Sequence, residues 1–125
     1  MERSKFKDME IIKLVVSKEY YTPSELNDWD FERFHNLGTK RLYYWYSDGD
    51  YCGDGLALVL VDGLWYTHGM SHCSCNGPTE DVSFSPSEGK KSPADFFPMY
   101  EEAEVSDELA PLVKEAMQDL STETL

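Results

Sequence analysis

The residues best suited to chemistry crowd into one short stretch, His68-Gly-Met-Ser-His72-Cys73-Ser-Cys75. Two of the three histidines and two of the three cysteines fall within these eight residues. In extended backbone Cys73 and Cys75 lie on the same side of the strand, so the pair could offer two thiolates to one metal. Thiolate and imidazole suit zinc, and a structural zinc site wants about four such ligands. His72, Cys73, Cys75 and Cys52 are the candidate metal set, with His68 as a substitute for His72. If residues 72–75 are extended, His72 faces away from both cysteines, and a tight turn would be needed to bring it back. The competing reading is of reduced cysteines packed as small apolar groups.

Other constellations carry less. Asp48, Asp50 and Asp54 suggest calcium, and the run from Asp50 places Gly55 at the sixth position of an EF-hand loop. Its third position is Cys52 and its twelfth is Val61, where oxygen ligands are required. An acidic turn between strands fits better. Cys73 beside His72 lacks an identifiable third residue to orient a base. Gly53-Asp54-Gly55 leads into a strand and not a helix, so it is no phosphate cradle. No catalytic set can be assembled, and a binding protein is expected rather than an enzyme.

Charge is the most informative bulk property. Residues 1–41 hold eight acidic and eight basic residues, whereas residues 42–125 hold sixteen acids against Lys90, Lys91 and Lys114. The whole net charge of −13 therefore belongs to the second part, and no Lys or Arg lies between Leu42 and Gly89. Such a field repels nucleic acid and anionic membranes and attracts basic protein surfaces. Direct DNA binding, which rests on neutralising phosphates, is not expected. Asp48, Asp50, Asp54, Asp62, Glu101, Glu102 and Glu104 are the candidate contacts to a basic partner. The alternative is that the charge only keeps the protein in solution.

The elements that must position these residues follow from pattern. A chain of 125 residues, 41% hydrophobic and 14% aromatic, suits one packed domain spanning residues 1–125. No run approaches the apolar length of a membrane helix. No apolar region follows Met1-Glu2-Arg3-Ser4-Lys5, so no secretory signal is read, and a cytoplasmic protein with reduced thiols is expected. Residues 5–18 fit a helical face through Phe6, Met9, Ile12 and Val16, although Ile11–Val16 could also be a buried strand. A turn at Thr22–Leu26 leads to a short helix through Trp29–His35, closed by Gly38.

Arg41–Tyr46 reads as an aromatic strand, with core packing favoured over a partner surface for its aromatic rings. Leu56–Val61 reads as a strand buried on both faces, and Asp62-Gly63 as a type I′ turn to a third strand from Leu64. Residues 72–75 are read as an extension of the sheet and Asp81–Ser85 as a further strand. Pro86–Pro93 reads as an exposed loop, and Ser92-Pro93 as the start of a short helix. Ser106 should cap a longer helix carrying Leu109, Leu112, Val113, Ala116, Met117 and Leu120 on one stripe. Pro111 would push its start later. The sum is an α+β fold, an antiparallel meander of three to five strands packed by N- and C-terminal helices.

The aromatic strand Tyr43-Tyr44-Trp45-Tyr46, the turn Gly53-Asp54-Gly55, the hairpin Asp62-Gly63 and the stretch His72-Cys73-Ser74-Cys75-Asn76-Gly77-Pro78 together resemble a pattern in small acidic proteins of tailed bacteriophages. The resemblance spans residues 42–80, about a third of the chain, and its specific part is His-Cys-Ser-Cys-x-Gly-Pro; Asn76 stands where that pattern has an aromatic residue. It implies a phage protein that blocks a host factor or defence system, in the sharpest form by imitating the charge of nucleic acid. The other class of function left open is a small zinc-stabilised structural or regulatory module.

Overall fold

The structure is a computed structural model that describes residues 2–16, 23–48, 52–70, 72–73, 77–80, 82–99 and 103–123. Its framework is a sheet in the order β1-β2-β3-β4-β5, with a short β6 paired to β4. The strands are β1 (Glu2–Phe6), β2 (Met9–Lys13), β3 (Thr39–Asp48), β4 (Cys52–Val61), β5 (Leu64–Gly69) and β6 (His72–Cys73). One helix, α1 (Asp28–Asn36), packs on one face, and α2 (Ala103–Glu123) packs on the other. The α+β class is as expected, with a helix on the N-terminal side of the meander and another at the C-terminal end.

The expected helix over residues 5–18 is absent from its described part, where β1 and β2 form a hairpin instead. Lys7 and Asp8 take positive φ values of 40° and 70°, a two-residue connection that suits the twist of a hairpin. The reason for the strand is its alternation. Met9 and Ile11 enter the core beside α1, while Ile12, Leu14 and Val16 enter the core beside α2. A period of two places both sets in a core, and the branched side chains at 11, 12, 15 and 16 suit a pleated surface.

The strand β2 also runs parallel to β3, with Glu10 opposite Arg41 and Lys13 opposite Tyr44. The sheet is therefore mixed and not wholly antiparallel. A parallel pair needs a long crossover, and the segment carrying α1 supplies it. Asn27 opens α1 with a reciprocal cap: its Oδ1 accepts from the Asp30 amide at 3.0 Å, and the Asp30 carboxylate accepts from the Asn27 amide at 3.3 Å. Gly38 at φ 90° ends that region as expected.

The meander β3-β4-β5 matches its expected form. Ala57, Val59 and Val61 lie in one core and Leu58 in the other, so β4 is buried on both faces. Asp62 and Gly63 turn it with φ values of 50° and 82°. Tyr43 and Trp45 pack toward α2, and Tyr44 and Tyr46 toward α1; all four are buried, as core packing required.

Beyond β5 the expectations diverge. Residues 82–85 form no strand; Val82 and Phe84 pack against the α1-side core, with the Phe84 ring 5.0 Å from that of Tyr66. Lys90 is not merely in a loop, because its backbone exchanges hydrogen bonds with Trp65 at 2.7 and 2.9 Å and covers part of the β5 edge. The short helix after Ser92 is a 3-10 segment, Pro93–Met99. The C-terminal helix starts at Ala103, so Ser106 is not its cap and Pro111 lies inside it. Burial of Leu109, Leu112, Val113 and Ala116 holds the helix through the proline, with Met117 left 40% exposed at the margin of the stripe.

Candidate functional site

Among the described residues, the acidic side chains expected as partner contacts, Asp54 and Asp62, lie at opposite ends of one strand. Asp48 and Asp54 belong to the end of the β3–β4 hairpin, where Ser47 faces Asp54 and Asp48 faces Gly53 across the ladder. Asp54 is half-buried, and its Oδ1 accepts from the Gly55 amide at 2.9 Å. Asp62 is exposed in the turn at the opposite end of β4. At the usual rise per strand residue the two lie roughly 25 Å apart. Asp48 and Glu104 are placed by their backbones alone, and Asp50, Glu101 and Glu102 lie outside the described residues.

Two further carboxylates of the anionic part are held by the neutral N-terminal part. The Arg3 guanidinium on β1 donates to Glu115 at 2.6 Å, to both oxygens of Asp119 at 3.0 and 3.1 Å, and to Glu10 at 3.1 Å. The Tyr43 hydroxyl donates to Asp119 at 2.6 Å. Burial works against a charged Asp119, but the hydrogen bonds from Arg3 and Tyr43 outweigh it and hold the carboxyl below its ordinary range. Burial first, and the bond to the Asp119 carboxylate second, raise the Tyr43 hydroxyl above the ordinary phenol value. The hydrogen bond to Asp119 likewise strengthens the proton affinity of Arg3. Glu115 and Asp119 are four residues apart on α2 and so share one face, a spacing that the sequence displays. Their cation, 116 residues from Asp119, is supplied only by the fold.

The thiol cluster is partly placed. Strand β6 pairs antiparallel with β4 so that Cys73 stands opposite Cys52 and His72 opposite Gly53. His72 and Cys73 thus occupy successive rungs of the ladder. Cys75 lies outside the described residues. His68 is engaged elsewhere, its Nε2–H donating to the Pro78 carbonyl at 3.1 Å. Among the described residues no group of three or more His, Cys, Asp or Glu side chains is arranged to hold a metal ion.

Two surface features carry no sequence signal of their own. Trp29 on α1 is 64% exposed and its ring lies 5.1 Å from the Arg33 guanidinium. A cavity of about 400 Å³ opens between β1, β2 and α1, floored by Ile11, Phe31 and Tyr44 and edged by Lys13 and Glu25, which pair at 3.4 Å. No helix among the described residues is long and apolar enough to cross a membrane. Comparison with known protein families, with characterised proteins and with solved structures finds no match to the chain.

Proposed function

We propose that this protein is an acidic inhibitor or adaptor, phage-encoded and acting in the host cytoplasm, that docks onto the basic surface of a host protein which handles nucleic acid or takes part in defence. The observation that supports it most is the distribution of charge: net −13, all of it in residues 42–125. Asp54 and Asp62 mark two ends of one strand, in a segment free of Lys and Arg from 42 to 89. The Arg3 cluster takes up Glu115 and Asp119 from that part of the chain. A basic partner would then be met by two separated acidic ends, an arrangement suited to a cationic groove made for a nucleic-acid backbone.

The resemblance in residues 42–80 supports the setting. The test is a low-salt pull-down from a bacterial lysate with identification by mass spectrometry, followed by titration of the captured partner over a range of salt. Affinity should fall steeply as salt rises. Binding that stays flat from low to high salt would remove the electrostatic reading.

A further inference from the structure

With three cysteines in 125 residues, two of them occupy one rung of an antiparallel ladder: Cys52 on β4 and Cys73 on β6. Directly opposed residues in such a ladder have Cα atoms about 4.5 or 5.5 Å apart, depending on whether the rung is hydrogen-bonded. Both separations fall inside the window of about 4.4–6.8 Å that a disulfide spans without moving the backbone. We infer that Cys52 and Cys73 are a cross-strand dithiol that closes to a disulfide by exchange with a low-molecular-mass disulfide such as oxidised glutathione.

The register carries this inference independently of the charge-based reading of function. The reaction balances as two successive exchanges. One cysteine thiolate attacks a sulfur of glutathione disulfide, forming a mixed disulfide and releasing one glutathione thiolate. The second cysteine thiolate then attacks the protein sulfur of that mixed disulfide and releases the second glutathione. The two cysteines are oxidised by two electrons, one glutathione disulfide is reduced to two thiols, and the two protein thiol protons end on the released glutathione molecules. The new bond would close the loop through the rest of β4 and all of β5, pinning β6 to the sheet. A loop of about twenty residues constrained in this way should raise Tm by about 10 °C.

The experiment exposes the purified full chain to oxidised glutathione and measures the intact mass and the cross-linked peptides. The expected result is loss of two hydrogens, a peptide pair joining Cys52 to Cys73, and a higher Tm that reverts with reductant. Cys75→Ser should keep the cross-link, while Cys52→Ser and Cys73→Ser should yield only glutathione adducts. The peptide map of the unmutated chain stands even if a variant fails to fold. A bridge between Cys73 and Cys75, no bridge at all, or a chain that carries stoichiometric zinc and resists oxidation until chelated would each overturn the inference. Partner binding enters none of these measurements, so failure here leaves the electrostatic reading intact, and failure there leaves the dithiol intact.

Discussion

Arg3 gathers three carboxylates from two elements, and its bidentate pair with Asp119 is the geometry in which Arg exceeds Lys. The Arg3 side chain is 35% exposed, so solvent screens the pair and its worth is about 1 kcal/mol. Asp119 has its carboxyl lowered in the fold, so its stabilisation is present above the ordinary carboxylate value and is lost as pH falls through the folded value. Asp119→Asn should therefore lower stability near neutrality by about 1–2 kcal/mol, and the gap to the unmutated chain should close on acidification. Urea unfolding across a pH series measures it; a gap that stays constant down to strong acid would contradict the assignment. On the alkaline side the raised Tyr43 hydroxyl contributes until pH passes its ordinary value of 10.0, after which stability declines.

A second residue-scale pair is Thr79, whose hydroxyl donates to the Asp30 carboxylate at 2.6 Å with both residues buried. Thr79→Val keeps the shape and leaves that oxygen short of a partner, so unfolding free energy should drop by about 2 kcal/mol. An unchanged denaturation midpoint would show the bond to be unimportant. The cap between Asn27 and Asp30 is a local pattern, although the sequence reading goes no further than a turn at Thr22–Leu26 and a helix through Trp29–His35. The Thr79 bond has no such local pattern, because a partner 49 residues away is chosen by the path of a loop.

At the scale of elements, the meander was legible because each signal was local. The apolar run of β4, the Asp62-Gly63 turn and the aromatic strand each specify their own geometry. The N-terminal hairpin is ambiguous in sequence because Phe6, Met9, Ile12 and Val16 also satisfy helical spacing, while Ile11–Val16 equally suits a buried strand. What decides between the two is burial on both faces of a sheet that the segment does not itself contain. The start of α2 differs from expectation for a related reason: the cap signal at Ser106 and the break signal at Pro111 yield to packing of the helix as a whole. Pro111 removes one backbone donor inside α2 and crowds the preceding turn. Pro111→Ala should stabilise the chain by about 1–3 kcal/mol and raise helicity, read by circular dichroism and thermal unfolding. A destabilised variant would mean that the proline sets the line of the helix against the sheet.

For the molecule as a whole, the lopsided charge was visible in composition, but its placement was not. Counting residues shows that 42–125 are anionic; it cannot show that Arg3 reaches across to Glu115 and Asp119, or that Asp54 and Asp62 stand at opposite ends of β4. If both ends meet the partner, Asp54→Lys and Asp62→Lys should each slow association several-fold, and the double variant should multiply the two effects. Stopped-flow association at two salt concentrations measures this. An effect confined to one variant would reduce the interface to one end of the sheet.

The grip of Arg3 on Asp119 joins the first strand to the final turns of the last helix, so β1 and the end of α2 are neighbours in space. Proteins with neighbouring termini tolerate being cut open elsewhere and sewn together at the old ends. A circular permutant that links the end of α2 to β1 with a short Gly/Ser bridge, and begins anew at the exposed Ser87–Glu88 peptide, should fold to the same sheet and unfold cooperatively. Failure to recover that cooperative transition would mean that the order in which the chain emerges, and not only its final neighbours, governs how this sheet is assembled.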